Sequence, residues 1–294
     1  MTFSGLFGGQ CHIEWTGVEP AERPTGAVGK NRGVEYASNA DDGTRIAYTV
    51  VGSGPPLLMV HGSFLTHTIW RTFGYVKALR GSRQLILIDS RGHGRSDKPH
   101  TPDAYAMSII VGDLTAVLDA VGVDTVDYLG YSFGARAGLA LTAARPERVR
   151  SLAVGGGSHG AQAGAFDRLF FPGCADVLEH SGMDGFLEAW NNHRMFPIDP
   201  GTRAVFSAND AQAMAAYIRA NDADPGLPDE TLQHFTQPSL FYVGSQDGTR
   251  LDDTRAAAAL VPNSELHVIR GFDHATTMAA SAEVLGVLER FWGR

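Results

Sequence analysis

Cysteine is scarce in this chain of 294 residues, which contains only Cys11 and Cys174. Two cysteines so far apart in the sequence form neither the disulfide framework of a small secreted domain nor the cysteine cluster of a zinc site. No two histidines have the four-residue spacing that holds a zinc ion on one face of a helix. We therefore expect no bound metal and no cofactor.

Long apolar runs and dense basic runs are missing as well. No apolar run approaches the about 20 residues of a membrane span, and the first residues lack the basic stretch and apolar core of a secretion signal. Lys and Arg total 24 against 32 Asp and Glu, a net charge of −8 without the basic face of a nucleic-acid binder. These absences predict a cytoplasmic protein without nucleic acid or membrane as a partner. We further expect a monomer or homodimer that acts on a small-molecule substrate.

The apolar residues that are present fall into short runs. Residues 34–51 are typical of a β-hairpin, with Asp42-Gly43 at its turn. Six later runs are continuously apolar, as in strands buried on both faces of a sheet: 57–60, 85–88, 126–129, 152–154, 240–243 and 266–269. Segments with helical spacing lie between several of these runs and after the last one. The alternation predicts an α/β fold, a mostly parallel sheet of eight strands with helices on both faces.

The alternation is absent from two parts of the chain. Residues 1–33 are rich in glycine, proline and polar residues, which predicts a loosely ordered arm. Over 158–235 the strand pattern lapses, and prolines separate short helical pieces. We therefore predict a core made of 34–157 and 236–294, and a helical cap over 158–235. An insert that follows the carboxyl end of a strand lies over the edge where α/β sheets bind ligands, so this cap is a candidate lid.

The strongest local signal is Gly130-Tyr131-Ser132-Phe133-Gly134, which matches G-x-S-x-G. The motif stands between a predicted strand and a segment with helical spacing, which is the context that it requires. A tight strand-to-helix turn lifts the serine hydroxyl clear of the backbone, and the flanking glycines leave room for the neighbouring strand and helix. Ser132 is therefore a candidate nucleophile.

A serine hydroxyl is a weak nucleophile until a base takes its proton. Asp247 and His274 each follow a predicted strand, at the same edge of the sheet as Ser132, in the order serine, acid, histidine. We predict that Ser132, Asp247 and His274 form a catalytic triad. Three other aspartates compete for the role of the acid: Asp252, Asp253 and Asp273.

A loop suited to binding an oxyanion follows the first continuously apolar run, with the sequence His61-Gly62-Ser63-Phe64. We predict that Ser63 and Phe64 offer backbone N–H groups there. The second donor is the N–H of Phe133, the residue after the nucleophile. His61 directly follows a buried strand, which favours a structural role for its side chain.

Together these motifs resemble the α/β-hydrolase superfamily over about residues 34–292. The tract Asp-Ser-Arg-Gly-His-Gly-Arg-Ser-Asp at 89–97 is similar to that family's D-x-R-G-x-G-x-S-D signature. The resemblance implies the α/β-hydrolase sheet with a helical cap, and a structural role for His93 within the signature. Epoxide hydrolases and haloalkane dehalogenases of the family use an aspartate nucleophile, so Ser132 disfavours those activities.

A serine nucleophile attacks an acyl carbon and forms an acyl-enzyme that water releases. We expect hydrolysis of a carboxylic ester or lactone of a small, largely apolar substrate, although the triad alone also admits thioesters and amides. The alternative is C–C bond hydrolysis of a ring-cleavage product. That subfamily has Asn before the nucleophile, where this chain has Tyr131, and a His-Gly-Gly-Gly loop, where it has His-Gly-Ser-Phe. A cofactor-free perhydrolase or lyase and a non-catalytic ligand-binding protein remain further alternatives.

The predicted cap is rich in aromatic residues, among them Phe166, Phe170, Phe171, Phe186, Trp190, Phe196, Phe206 and Tyr217. Most of them are expected to pack the cap against itself and the core, and two or three to line an apolar pocket. We predict Phe170 and Trp190 as substrate-binding residues. His193 and Arg194 are expected on the solvated surface.

Overall fold

A single eight-stranded sheet organises the computed structural model, which describes residues 33–293. The strands are β1 (Glu35–Ser38), β2 (Arg45–Val51), β3 (Pro56–Val60), β4 (Gln84–Ile88), β5 (Val126–Tyr131), β6 (Val149–Gly155), β7 (Ser239–Gly244) and β8 (Ser264–Ile269). Their order is β1-β2-β4-β3-β5-β6-β7-β8, and only the pairings of β2 with β1 and β4 are antiparallel. The predicted fold class and strand number are confirmed. The predicted arm lies outside the described residues, apart from Gly33.

Helices cover both faces of the sheet. Between residues 33 and 293 they are α1 (Ile69–Thr72), α2 (Tyr75–Leu79), α3 (Met107–Val121), α4 (Phe133–Ala144), α5 (Ala165–Leu169), α6 (Cys174–Asn192), α7 (Pro200–Ser207), α8 (Ala211–Ala223), α9 (Asp229–Gln233), α10 (Thr249–Leu260) and α11 (Ser281–Trp292). Three short 3₁₀ helices span Pro102–Tyr105, Pro146–Arg148 and Thr277–Ala279. The buried side chains of α3, α4 and α10 join one hydrophobic cluster, and those of α1, α2 and α11 join another. The central strands have apolar residues on both sides because each side is covered.

Local sequence signals set several helix ends. Helix α3 ends before Gly122, whose φ of 75° places it in the left-handed region that glycine adopts without strain. At the start of α7, the Asp199 side chain accepts hydrogen bonds from the N–H groups of Gly201 and Thr202. Pro200 occupies the first helical position, where its missing N–H has no partner to lose.

The connection between β6 and β7 carries five helices, α5 to α9, in the part of the chain where the sequence predicts the cap. Helix α6 bends at Gly182, whose φ of 67° and ψ of −169° interrupt the helical backbone. Aromatic side chains of the cap, such as Phe186 and Trp190, share one hydrophobic cluster with Phe64 of the core. The cap is therefore anchored directly beside the oxyanion loop. Among the described helices, none is both long and apolar enough to cross a membrane.

Candidate active site

Ser132 occupies a sharp turn between β5 and α4. Its φ of 56° and ψ of −111° lie in a region that non-glycine residues rarely adopt. The turn needs glycine on both sides. A Cβ on Gly130 would collide with the carbonyl oxygen of Gly134, and a Cβ on Gly134 with that of Val60. The G-x-S-x-G sequence thus permits a strained backbone that presents the Ser132 hydroxyl at the edge of the sheet.

The structure brings the predicted triad together across 142 residues of sequence. Ser132 Oγ lies 2.9 Å from His274 Nε2, and His274 Nδ1 lies 2.9 Å from Asp247 Oδ2. Because an ionised carboxylate only accepts hydrogen bonds, Nδ1 carries the proton and Nε2 is left to accept from the serine hydroxyl. The Asp247 side chain is only 2% exposed, so water does not compete for this contact.

The other candidate aspartates are placed elsewhere. Asp273 Oδ1 accepts hydrogen bonds from the N–H and the hydroxyl of Thr276, so this carboxylate closes its own turn. The side chain of Asp252 is 84% exposed and contacts Arg255. Asp253 lines the cavity, but its carboxylate is directed to Arg250, at 4.0 Å. Asp247 is therefore the carboxylate that orients His274.

Tyr131 supports the histidine from within the motif. Its hydroxyl donates to the His274 carbonyl oxygen at 2.5 Å, and the two rings lie 5.3 Å apart. The sequence analysis did not identify this role. The only signal in the sequence was a tyrosine beside the nucleophile. The direction in which its hydroxyl points depends on the fold.

The oxyanion loop differs in one respect from the prediction. The N–H of Phe64 donates to His93 Nε2 at 3.0 Å, so this donor is engaged inside the protein and the prediction for Phe64 is corrected. Neither the N–H of Ser63 nor that of Phe133 has a hydrogen-bond acceptor within residues 33–293. Phe133 is the first residue of α4, where the N–H has no acceptor within the helix. Ser63 and Phe133 remain the candidate donors.

The signature tract holds this loop in place. Asp89 Oδ1 accepts from the N–H of His67 at 2.8 Å, and Asp89 Oδ2 accepts from the N–H of Arg95 at 3.0 Å. The buried Arg91 guanidinium makes two hydrogen bonds of 2.6 Å to Asp113. His93 accepts a hydrogen bond from the oxyanion loop, so the tract connects the end of β4 to the active site.

His61 and His93 are fully buried and act as uncharged links. His61 Nδ1 donates to the Gly62 carbonyl, and its Nε2 accepts from the Ser90 N–H. His93 Nδ1 donates to the Arg91 carbonyl. Burial lowers the pKa of His61, and burial together with the neighbouring His61 lowers the pKa of His93 to about 3. The arrangement fits the structural role predicted for both side chains.

These lowered pKa values predict a loss of stability in acid. An unfolded histidine takes up a proton near pH 6.5, whereas folded His93 resists protonation down to about pH 3. The free energy of unfolding should therefore fall as the pH falls below 6.5, and His93 should contribute about 1.4 kcal/mol per pH unit to this loss. Between pH 8 and pH 5, His93→Gln should lose about 2 kcal/mol less than the wild type. Urea denaturation at the two pH values measures this difference.

The control is His180→Gln, since His180 is exposed on α6. This variant should keep the pH dependence of the wild type. Equal losses in acid for wild type and His93→Gln would show that His93 is not the group excluded from protonation.

A cavity of about 770 Å³ lies over the triad, and Ser132 and His274 are part of its wall. Phe170 and Trp190, the predicted substrate-binding residues, also line it, with their rings 4.9 Å apart. Arg194 lines the cavity as well, its guanidinium 5.1 Å from the centre of the Trp190 ring. Arg194 is half-buried, so the prediction that it lies on the solvated surface holds only in part, whereas His193 is exposed as predicted.

The parallel sheet and the serine, histidine and aspartate at its carboxyl edge define the α/β-hydrolase class. Residues 55–172 match the family model of the alpha/beta hydrolase fold. RutD of Azorhizobium caulinodans, a proposed carbamate hydrolase, is 33% identical over 262 residues, which cover 88% of this chain and 90% of the relative. The chain belongs to the α/β-hydrolase family and is a hydrolase.

Two further similarities differ in their extent. The 2-hydroxymuconate semialdehyde hydrolase of Pseudomonas sp. strain CF600 is 39% identical over 106 residues, which cover 36% of this chain and 37% of the relative. A crystal structure from work on carboxylesterases of Nitrososphaera gargenis superposes with a TM-score of 0.77 at 21% identity, covering 88% of this chain and 98% of the other. At that identity the second similarity supports the fold alone.

Proposed function

We propose that this chain is a serine hydrolase that cleaves a carboxylic ester or lactone of a small, largely apolar substrate through an acyl-enzyme. The observation that carries the proposal is the continuous chain of hydrogen bonds from Ser132 through His274 to Asp247, with both distances at 2.9 Å. A serine without such a base would be inert at neutral pH. The cavity walls, which are rich in aromatic side chains, favour a largely apolar substrate.

In the first step His274 Nε2 takes the proton of Ser132 as Oγ attacks the acyl carbon. The carbonyl oxygen becomes an oxyanion, and the N–H groups of Ser63 and Phe133 are the proposed donors that stabilise it. Asp247 holds the imidazole in the required orientation and balances its positive charge. The bond to the leaving group then breaks, and His274 returns the proton to the leaving oxygen.

In the second step water attacks the acyl-enzyme. His274 Nε2 takes a proton from that water, and the acyl carbon passes through a second tetrahedral intermediate with the same oxyanion donors. Collapse of the intermediate breaks the bond to Ser132 Oγ, which receives the proton from His274. The products are a carboxylic acid and an alcohol, or a hydroxy acid when the substrate is a lactone.

Carbamate hydrolysis is a second candidate, favoured by the similarity to RutD over 88% of this chain. A carbamate also presents an acyl carbon to the serine, so the same residues would take part. C–C bond hydrolysis has narrower support, since the similarity to the muconate semialdehyde hydrolase covers 36% of the chain. Tyr131 stands where that subfamily has Asn.

An acid-quench assay tests the proposal. The purified protein is mixed with 4-nitrophenyl esters, an aryl carbamate, a lactone and a dienoate C–C substrate, and the quenched protein is digested for mass spectrometry. We expect ester or lactone turnover and an acyl group on the peptide that contains Ser132. Turnover of the C–C substrate alone would support the alternative, and no turnover with any substrate would overturn the enzymatic proposal.

The proposed acyl pocket leads to a test of Trp190. This ring lies 4.9 Å from Phe170 and 4.9 Å from Phe206, so Trp190→Ala removes a wall of the cavity. We expect kcat/KM to shift towards longer acyl chains by about tenfold, the value of one to two extra buried methylene groups. Initial rates across a series of 4-nitrophenyl esters measure the shift.

Phe186→Ala is the matched control. Phe186 lies one turn earlier on α6, is fully buried and takes no part in lining the cavity. It should destabilise the protein without changing the order of preferred chain lengths. If Trp190→Ala also left that order unchanged, Trp190 would have a packing role only.

The proposal also includes the sequence-based predictions on partners, oligomeric state and cellular location. We propose a small-molecule substrate, no nucleic-acid or membrane partner, and a monomer or homodimer in the cytoplasm. The net charge of −8 supports the exclusion of nucleic acid, because binding to phosphates requires a basic surface.

A further inference from the structure

Arg250 places a guanidinium in the wall of the active-site cavity. It lies in the first turn of α10, three residues after Asp247, and its Nη1 donates a hydrogen bond to the Gln162 side-chain oxygen. Within the described residues the one carboxylate in ion-pair range of Arg250 is Asp253, at 4.0 Å. Because the Asp253 side chain is 45% exposed, water weakens its pairing with Arg250.

A second arginine, Arg136, also lines the cavity. Arg136, on α4, is 7% exposed and pairs with Asp224 at 2.6 Å. Its Nε–H is buried and has no hydrogen-bond partner in the part of the chain that the structure describes. A buried donor without an acceptor is unfavourable unless a ligand or water completes it.

The two arginines oppose each other electrostatically. Burial lowers the pKa of Arg250, and the nearby Arg136 lowers it further, against the attraction of Asp247 and Asp253. The attraction of Asp247 is the larger of the two, although its hydrogen bond goes to His274 and not to Arg250. Among the described residues, Arg250 therefore has no carboxylate closer than the half-exposed Asp253 at 4.0 Å.

Two other arginines of the lining resemble Arg250 in this respect. Arg168 and Arg194 also line the cavity, and neither has a carboxylate within 4.0 Å among the described side chains. Asp199, the remaining acidic residue of the wall, is engaged as the N-cap of α7. An anionic ligand would pair with guanidinium groups that have no close carboxylate partner.

We propose that the substrate carries a carboxylate that Arg250 binds while the acyl carbon lies at Ser132. This proposal rests on the proposed function and narrows its substrate class to a monoester of a dicarboxylic acid, or a lactone that bears a carboxylate. The planar guanidinium offers paired N–H donors that match the two oxygens of a carboxylate. Aromatic walls hold the apolar part of such a substrate, and Arg250 decides which acyl groups are preferred.

Two esters of equal acyl length test the proposal: 4-nitrophenyl pentanoate and 4-nitrophenyl hydrogen glutarate. They differ only in a terminal methyl group or carboxylate. The wild type should favour the glutarate monoester in kcat/KM by about tenfold or more. Arg250→Gln should lower kcat/KM for that ester by about 10- to 100-fold, the value of a charge-assisted hydrogen bond, and change it for pentanoate by less than about threefold.

Two further variants complete the design. Arg250→Lys keeps the positive charge but lacks the paired N–H donors of the guanidinium. It should therefore retain part of the preference for the glutarate monoester. Arg255→Gln is the matched control, because Arg255 lies on the same helix with half of its side chain exposed, and it should leave both rates unchanged. Equal losses on both esters in Arg250→Gln would assign Arg250 to positioning Asp247 and overturn the proposal, as would a wild type without preference.

A binding measurement separates this proposal from the proposed function. If the wild type hydrolyses neither ester, the proposed ester hydrolysis fails, and calorimetry with glutarate decides the carboxylate site. Glutarate binding to the wild type that is lost in Arg250→Gln would support the site. No glutarate binding to the wild type would overturn it.

Discussion

Replacing Ser132 with alanine is expected to lower kcat by about 10⁴- to 10⁶-fold, as the loss of a nucleophile does in other serine hydrolases. His274 would keep its hydrogen bond to Asp247, but no oxygen would remain for it to activate. The fold should survive, because the change removes one hydroxyl and leaves the strained turn and both glycines in place. Steady-state kinetics on the preferred ester, with the melting temperature measured in parallel, test the prediction.

A fluorophosphonate probe provides a second readout. It should label the wild type at Ser132 and leave Ser132→Ala unlabelled. Ser90→Ala is the matched control, since Ser90 is another buried serine and its hydroxyl has no hydrogen-bond partner among the described residues. Probe found on another residue, or substantial activity in Ser132→Ala, would refute the assignment of the nucleophile.

Replacing Asp247 with asparagine is expected to lower kcat by about 10³- to 10⁴-fold. The carboxylate accepts a hydrogen bond from His274 Nδ1–H and so leaves Nε2 free to act as the base. An asparagine amide can donate instead, which favours the tautomer with the proton on Nε2, and that tautomer cannot accept the serine proton. The amide also cannot balance the positive charge that develops on the imidazole. Because Asp247 acts on the reaction through His274, KM should change much less than kcat.

The neighbouring aspartates are the controls for this prediction. Asp252 is exposed on α10, and Asp273 closes its own turn with Thr276, so Asp252→Asn and Asp273→Asn should each affect kcat far less. Asp273→Asn could also reduce the amount of folded protein. Rates are therefore divided by the concentration of active sites, which is measured by titration with the fluorophosphonate probe. A larger kcat loss in either control than in Asp247→Asn would place the acid at another residue.

Much of the core could be predicted from the sequence because its signals are local. Continuous apolar runs locate strands with both faces covered, as β3 to β6 show, and the strand–turn–helix context locates Ser132. Asp247 and His274 were found by their positions after β7 and β8, since the carboxyl ends of parallel strands lie at one edge. The hydrogen bonds among the three side chains then follow from the fold.

The less accurate predictions concern the direction of single groups. Ser63 and Phe64 are adjacent and both have an N–H, and the sequence offers no reason to separate them. His93, which is 29 residues away, accepts a hydrogen bond from the N–H of Phe64. The N–H of Ser63 has no acceptor among the described residues. For Arg194, likewise, nothing in the sequence indicates that its guanidinium lies near the ring of Trp190 in the cavity wall.

By itself the sequence determined the α/β class, the eight strands, the nucleophile turn and the residues proposed as base and acid. Each of these features depends on a hydrophobic periodicity or on a motif that lies within a short stretch of sequence. The tertiary structure alone decided that the N–H of Phe64 is bound to His93 while that of Ser63 has no acceptor among the described residues, and that Arg136, Gln162 and Arg250 line one cavity. Residues 162 and 250 are 88 positions apart and share no pattern, so their contact exists only because the sheet and the cap bring distant segments together.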